Sequence, residues 1–259
     1  MNVHIYVMNP EKFVDRRKAI EPLLTESGYK YSFTSINDDT ELSDKGIKRN
    51  HNSKKTIDFF GRDFTIGELA STLNHLHAYN EFLNSSYDIA IIIEDDQTFD
   101  VTEFKKVISF ITSKVIDLEK PEAILLTPVI SYLEKESLII TEKYKISPVF
   151  EAWGQAYVIN RLAAKNILRT NTGSWIIADD WVKYKRYAKI NLLGIIPGVV
   201  RTDESFESNL MIDRKKTSRT SKTGSFILRR LFYKITRDIY KFFWLYPVKN
   251  LQRDKSGFR

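Results

Sequence analysis

Hydrophobic and polar positions divide the start of the chain into strand-like and helix-like segments. Residues 3–8 are a short apolar, β-branched run, which predicts a buried strand. Asn9 and Pro10 then predict a helix start, with Asn9 as the N-cap, and Gly28 predicts the end of that helix. Residues 29–36 alternate as a second strand does. This order of elements predicts a parallel βαβ unit at the N-terminus.

The next part of the chain centres on residues 89–93, an uninterrupted apolar run that is followed by three acids. A run without alternation is typical of a central strand that is covered on both faces. Before it, residues 37–64 are polar and predict an irregular surface excursion. Thr65 and Glu68 have the spacing of a capping box, and the apolar residues after them predict a helix to about residue 84.

Further elements are predicted through the rest of the chain. They are a helix at residues 102–118, strands at 122–127, 138–146 and 155–160, a helix at 161–170, and a last apolar segment at 191–196. The pattern predicts one α/β domain over residues 1–213, with a mixed central sheet and no dividing linker. Residues 214–259 are predicted as a basic, aromatic-rich helical tail.

Charge separates this tail from the body. Residues 214–259 hold 14 Lys or Arg and two acids, a balance of +12. The other 213 residues hold 26 basic and 31 acidic groups, a balance of −5, so the net charge of +7 describes neither part. An acidic body and a basic tail therefore need separate explanations.

Composition excludes several kinds of site chemistry and bears on the cellular compartment of the protein. With 42% hydrophobic residues, the 259-residue chain can bury a sizeable core. It has no cysteine, which excludes disulfides, thiolate zinc sites and cysteine nucleophiles. No signal peptide and no apolar run of about 18 residues is visible, which predicts a soluble or peripheral cytoplasmic protein.

The acids after the apolar run, Glu94, Asp95 and Asp96, are the first candidate site. Ligands of open α/β sheets bind at the carboxyl ends of strands, where these acids are expected. Carboxylates this close repel one another unless a positive group lies among them, and Mg²⁺ or Mn²⁺ suits oxygen ligands. The alternative is a solvated acidic loop, or acids that favour the start of the following helix. The triplet alone leaves both interpretations open.

Four segments around the triplet carry a resemblance to a known family: IYVMNPEKFVDRR, FTIGELASTLNHLHAYNEF, IAIIIEDDQTF and WGQAYVINRLAAKNIL. Their order and spacing resemble glycosyltransferase family 25, which includes bacterial lipooligosaccharide galactosyltransferases. The resemblance covers about residues 3–181. It implies a single GT-A-like (Rossmann-like) domain with a mixed, mostly parallel sheet, a UDP-sugar donor, and Mn²⁺ or Mg²⁺ as the metal.

The resemblance also implies roles for residues of these segments. Asp96 is the expected metal ligand, and Glu94 is a second ligand or a donor contact. The residues expected to contact the nucleotide-sugar donor are Asn9, Arg16, Glu68, His75, Glu94 and Asp95. For Glu68 the alternative is the capping box alone, for His75 a core histidine, and for Arg16 an exposed helix residue.

The later motifs are expected to serve the acceptor and the proton transfer. Trp153, Gly154 and Gln155 match the aromatic-glycine segment, where an indole face suits a sugar ring. A core Trp beside a turn Gly is the alternative. An inverting transferase needs a base for the acceptor hydroxyl. Asp179 and Asp180 are the candidates, with Asp180 preferred, and an exposed helix-start pair is the alternative.

The tail mixes basic residues with aromatic and aliphatic ones between residues 226 and 248. Such a helix suits an anionic membrane surface, here the inner face of the cytoplasmic membrane. Packing on the body, a homo-oligomer contact and a nucleic-acid patch are the alternatives, and no nucleic-acid motif accompanies the tail.

The acidic triplet together with the resemblance implies an inverting, metal-dependent β-galactosyltransferase that moves galactose from UDP-galactose to a lipooligosaccharide or other lipid-linked acceptor. A glucosyl- or N-acetylhexosaminyl-transferase of the same fold is the alternative among enzymes. A non-catalytic membrane adaptor with a structural acidic site is the alternative from another class.

Overall fold

The chain forms the strands and helices of an α/β fold, as the hydrophobic pattern predicts. The computed structural model describes residues 1–36, 51–206 and 224–256. Its strands are β1 (Val3–Met8), β2 (Lys30–Thr34), β3 (Ile89–Glu94), β4 (Gln97–Phe99), β5 (Glu122–Leu125), β6 (Ser131–Leu133), β7 (Leu138–Ile139), β8 (Lys145–Glu151), β9 (Ala156–Asn160), β10 (Asn191–Ile196), β11 (Val200–Thr202) and β12 (Leu251–Arg253).

The helices lie between these strands and at the C-terminal end. They are α1 (Val14–Ser27), α2 (Ser53–Phe60), α3 (Ile66–Asn84), α4 (Val101–Phe110), α5 (Arg161–Thr170), α6 (Trp181–Tyr187), α7 (Gly224–Tyr240) and α8 (Tyr246–Lys249). A π-helical turn, Ile111–Val115, extends α4, and another, Lys241–Leu245, joins α7 to α8. Among the described residues, no helix is long and apolar enough to cross a membrane.

The main sheet is mixed, and its central strands run mostly in one direction. The strand order is β12-β6-β8-β10-β5-β9-β3-β1-β2, with β7 beside β8. β1 pairs in parallel with β2 and β3, and β5 pairs in parallel with β10. β9 lies between β3 and β5 and is antiparallel to both. The prediction of an α/β fold with a mixed, mostly parallel sheet is therefore confirmed.

β3 is the buried centre of this sheet, as its uninterrupted apolar run predicts. Ile89, Ile91 and Ile93 pack on the face covered by α1 and α4. Ala90 and Ile92 pack on the opposite face, against α3 and α5. All five side chains are fully buried, because helices cover both faces of the strand.

Helix ends agree with the sequence in two places and differ in one. Thr65 and Glu68 form the predicted capping box at the start of α3. Gly28 ends α1 with a left-handed φ of 74°, which a residue without Cβ adopts at little cost. The predicted start of α1 is wrong, since the helix begins at Val14 with Phe13 as the N-cap. Asn9 is not a cap, because its side chain binds elsewhere.

Three other segments differ from the prediction. The excursion at 37–64 contains helix α2, while residues 37–50 lie outside the described part of the chain. The predicted strand at 138–146 is two short strands, because the chain turns where Thr141 Oγ1 accepts the backbone N–H of Tyr144. The predicted helix at 102–118 ends its regular part at Phe110, the last residue of α4.

The C-terminal segment is partly helical and partly a strand. Helices α7 and α8 occupy much of the predicted tail, but β12 pairs with β6 and so joins the sheet of the body. The predicted boundary at residue 213 and the basic residues 214–223 lie outside the described residues. The described part of the tail is thus joined to the sheet of the body through β12.

Candidate functional site

Three predicted segments meet at one edge of the sheet. Asn9 follows the carboxyl end of β1, and Glu94 ends β3 beside it, paired with Met8. Because β9 is antiparallel to β3, its amino end reaches the same edge, and the carbonyl of Gln155 accepts the backbone N–H of Glu94 at 3.1 Å. Topology therefore brings together residues that are up to 146 positions apart in the chain, counted from Asn9 to Gln155.

Asp95 is the buried member of the acidic triplet, and its partners come from this chain. Its Oδ2 accepts a hydrogen bond from Asn9 Nδ2 at 2.8 Å, and its Oδ1 accepts one from Arg16 Nη1 at 3.0 Å. Asn9 also donates to the carbonyl of Phe13, which fixes the turn before α1. Burial raises the pKa of Asp95, although Asn9 and Arg16 act in the opposite direction. Asp95 thus fixes the acidic turn and holds Arg16 in the site.

Asp96 lies at the more open side of the turn. Its Oδ1 accepts from Gln97 Nε2 at 2.7 Å, and its Oδ2 is 3.7 Å from Arg16 Nη1. Its backbone carbonyl accepts the N–H of Asp203 at 2.7 Å, which ties the turn to the segment after β11. The side chain is 15% exposed, against 5% for Asp95, so Asp96 is oriented by its neighbours and still reaches solvent.

Glu94 is linked to a buried chain of ring groups. His75 Nε2 lies 3.4 Å from Glu94 Oε1, and His75 Nδ1 lies 2.6 Å from the hydroxyl of Tyr157. That hydroxyl lies 2.5 Å from the hydroxyl of Tyr79. Burial lowers the pKa of His75 to about 4, so the imidazole is neutral at pH 7. A neutral imidazole has one donor and one acceptor nitrogen and so connects Glu94 to the phenols.

The acidic turn retains excess negative charge that Arg16 only partly balances. Burial, followed by the charges of Asp96 and Asp95, raises the pKa of Glu94 to about 8, while Arg16 lowers it. Within the described residues, no group of three or more His, Asp or Glu side chains forms a metal cage. Mg²⁺ and Mn²⁺ often use one or two carboxylates and complete their coordination with water and substrate phosphate. Glu94 and Asp96 fit that donor set.

Glu68 lies on α3 with His75, seven residues earlier and so about 10 Å along the helix axis. Its carboxylate accepts both terminal nitrogens of Arg62, at 2.7 and 2.6 Å, and also the backbone N–H of Thr65. Such a bidentate pair fixes the first turn of α3. These contacts give Glu68 a structural role, and its predicted role in donor binding stays a prediction.

The aromatic-glycine segment lies between β8 and β9. Trp153 is 51% exposed, so its indole is open to a ligand and is not a core residue. Gly154 is packed closely, because a Cβ there would lie 3.0 Å from Leu125 Cδ2 and 3.2 Å from Trp181 Nε1. Its carbonyl also accepts Trp181 Nε1–H at 3.1 Å. The glycine therefore brings this segment against α6.

Asp179 and Asp180 differ in their surroundings. Asp180 is the N-cap of α6: its Oδ1 accepts the backbone N–H of Lys183, and its Oδ2 pairs with Lys183 Nζ. Asp179 lies just before this cap and acts electrostatically on His75, whose pKa its charge raises against the larger effect of burial. Asp180 is thus committed to the helix start, whereas the charge of Asp179 acts on His75.

Three residues of the site do not stand out in the sequence. Tyr157 lies in the apolar strand β9. A hydroxyl group within this apolar run could have indicated that Tyr157 has a polar contact as well as a place in the core. Gln97 and Thr202 face each other across the β4–β11 pair, 3.4 Å apart at their polar atoms. A polar side chain directly after the acidic triplet could have indicated Gln97.

Comparison with known proteins identifies a family. The family model of glycosyltransferase family 25, described as an LPS biosynthesis protein, matches residues 2–182. This match covers the acidic turn, the aromatic-glycine segment and both acids before α6. No curated relative matches the chain significantly.

Similar solved structures include a glycosyltransferase involved in the glycosylation of the major capsid of PBCV-1. It is 11% identical, with a TM-score of 0.33, over 66% of this chain and 67% of that chain. Another, from Desulfovibrio desulfuricans G20, is assigned as a nucleotide-diphospho-sugar transferase. It is 11% identical, with a TM-score of 0.34, over 92% of this chain and 98% of that chain.

Proposed function

The chain belongs to glycosyltransferase family 25, and from this premise we propose that it transfers galactose from UDP-galactose, with inversion, to a lipooligosaccharide acceptor. The observation that carries the proposal is the acidic turn at the edge of the sheet. There Glu94 and Asp96 lie beside Arg16, and burial together with the neighbouring acids raises the pKa of Glu94 to about 8. Excess negative charge beside an arginine suits a site that receives a cation and a diphosphate together.

Arg16 and Asp96 are the residues that would receive the donor. Asp95 holds the guanidinium of Arg16 at the site, so the side chain is oriented before a diphosphate arrives. Arg16 contributes positive charge for the leaving phosphate, as guanidinium groups do for phosphoryl oxygens. Asp96 and Glu94 would hold a divalent cation, which supplies charge neutralisation of the diphosphate when bound. His75, which contacts Tyr157, orients Glu94 from the buried side of the site.

Asp179 is the base in this proposal. A carboxylate that accepts the proton of the acceptor hydroxyl must face the site, and the electrostatic effect of Asp179 on His75 supports that position. We therefore assign the role of base to Asp179 and not to Asp180, because Lys183 already engages both carboxylate oxygens of Asp180. Trp153, with half of its surface exposed, supplies a ring face for the acceptor sugar.

The test is a donor panel with purified full-length protein. UDP-galactose, UDP-glucose and UDP-N-acetylhexosamines are compared for UDP release, with Mn²⁺ or Mg²⁺ added and with EDTA. We expect the fastest release from UDP-galactose and a loss with EDTA that added Mn²⁺ restores. Faster release from another UDP-sugar would replace galactose by that sugar. Full activity in EDTA would remove the metal from the proposal, and release from none of the donors would contradict the proposal as a whole.

A further inference from the structure

The C-terminal helix has an apolar side that no described residue covers. Residues spaced by four along α7 and its π-helical turn share one side of the helix, together with their neighbours. We call this side the C-terminal apolar face. It consists of eight side chains that are 48% to 71% exposed: Ile227, Leu228, Leu231, Phe232, Ile235, Ile239, Phe242 and Phe243. Contiguous exposed apolar surface of this kind marks an interaction site.

The opposite side of the same helix attaches it to the body. Arg237 Nη1 and Lys241 Nζ pair with the two carboxylate oxygens of Glu151, at 3.2 and 3.0 Å. Tyr233 lies under the guanidinium of Arg186, at 5.5 Å, and Leu245 is buried. A surface helix normally places its apolar side on the body and its charges in water. Here the orientation is reversed, so the part of the body that the structure describes leaves the apolar face open to a partner.

The charge of this segment favours one partner over another. Residues 214–259 carry a balance of +12, and Asp238, the one acid of α7, pairs with Arg237 at 3.0 Å. A two-fold contact between two copies would bring two such segments together, and like charges repel. An anionic lipid surface instead attracts the basic groups and accepts the apolar ones.

Aromatic residues flank the apolar face as they do at membrane interfaces. Tyr240, Trp244 and Tyr246 are 50%, 47% and 52% exposed. Rings with a polar atom at one end are favoured where hydrocarbon meets lipid headgroups. We propose that the C-terminal apolar face docks on an anionic membrane surface and lies in the plane of that surface.

The attachment of the helix also connects this docking to the site. Glu151, which Arg237 and Lys241 bind, is the last residue of β8 and lies two positions before Trp153. A membrane under α7 would therefore be joined by two ion pairs to the segment that we assign to the acceptor. This step rests on the proposed function, because it explains how a lipid-linked acceptor is presented to the enzyme.

Vesicle binding of the full chain tests the docking without any use of activity. Vesicles of phosphatidylcholine with about 30% phosphatidylglycerol are compared with pure phosphatidylcholine by sedimentation. We expect binding to the anionic vesicles only. The double variant Phe232→Ser and Phe243→Ser should bind these vesicles at least about tenfold more weakly than the wild type, since both rings are 71% exposed and would make apolar contact with lipid. Ile139→Ser, a 65% exposed apolar residue on β7, is the matched control and should bind as the wild type does.

Three results would overturn the docking. One is no binding of the wild type to anionic vesicles, and another is unchanged binding by the double variant. The third is a dimer in sedimentation velocity that the double variant dissociates, which would assign the face to a second copy. UDP release without vesicles separates this proposal from the enzymatic one. The double variant should keep that activity and its unfolding temperature whether or not docking is correct.

Discussion

The acidic turn after β3 and the C-terminal helix α7 treat charge and apolar surface in opposite ways. At the turn, Asp95 is buried, with Arg16 at 3.0 Å and Asn9 at 2.8 Å, so the chain itself satisfies the charge. On α7 and the π-helical turn after it, the basic side chains Arg237 and Lys241 face the body, and the apolar side faces away from it. The acidic turn buries charged groups inside the protein, whereas α7 exposes apolar side chains on the surface.

The difference shows which groups each region leaves for a ligand. The acidic turn places three carboxyl groups around one guanidinium, and burial, followed by the charges of Asp96 and Asp95, raises the pKa of Glu94 to about 8 even with Arg16 present. The helix leaves its apolar side exposed, because its ion pairs with Glu151 are on the side that faces the body. In our proposals, a cation with a diphosphate binds at the first region, and a lipid surface binds at the second.

The largest expected effect separates the two neighbouring acids of the turn. Asp96→Ala should lower transfer by about a thousandfold or more, because it removes the open carboxylate of the proposed metal and diphosphate site. The unfolding temperature should change little. Product formation and thermal unfolding are measured on the same preparation.

Asp95→Ala is the counterpart to this variant. It leaves Arg16 without its buried partner and should lower the free energy of unfolding by about 3 kcal/mol. An active Asp96→Ala protein, or an Asp95→Ala protein as stable as the wild type, would show that the division of roles within the turn is wrong.

The next effect concerns the acids before α6. Asp179→Asn should lower transfer to the acceptor by about a hundredfold or more, since an amide cannot accept the hydroxyl proton. Affinity for UDP, measured by calorimetry, should stay within about twofold, as Asp179 is assigned to the acceptor and not to the nucleotide. Equal losses of UDP affinity and of transfer would assign Asp179 to the donor instead.

A smaller effect is expected from the C-terminal apolar face. Phe232→Ser with Phe243→Ser should lower transfer to a lipid-linked acceptor in anionic vesicles by about tenfold, through lost docking. Transfer to a soluble oligosaccharide acceptor should be unchanged. An equal loss with both acceptors would mean that the rings support the catalytic body and not a membrane contact.

The smallest effect is that of the helix cap. Asp180→Ala should lower the free energy of unfolding by about 1 kcal/mol and leave most of the activity, because its side chain caps α6 and pairs with Lys183. Asp100→Ala removes the equivalent N-cap of α4 and is the matched control. Asp180→Ala with a hundredfold loss of transfer, against none for Asp100→Ala, would return the role of base to Asp180.

Local patterns predicted much of the fold. The five apolar residues before Glu94 indicated a strand buried on both faces, and the Thr65–Glu68 spacing indicated the start of α3, because both depend on neighbours in the chain. Segments that depend on turns were less predictable. The sequence at 138–146 reads as one strand, but Thr141 closes a turn and the chain folds back as β7 and β8.

For the site, sequence identified which residues belong near one another but not how neighbours divide their roles. Glu94, Asp95 and Asp96 are adjacent in sequence, yet it is Asp95 that accepts hydrogen bonds from both Asn9 and Arg16. Asp179 and Asp180 are indistinguishable by composition, and the cap of α6 separates them. The direction of each side chain follows from the backbone turn at that point, which a motif does not record.

By itself, the sequence determined the family, the buried strand that carries the acids, and the separation of a −5 body from a +12 tail. These properties are sums over residues or depend on near neighbours in the chain, so they follow from the sequence without a structure. Only the tertiary structure decided that Arg16 balances Asp95, 79 positions away, and that Glu151 turns the basic side of α7 inwards. These contacts join groups that are far apart in the chain, and their geometry exists only after the sheet has formed.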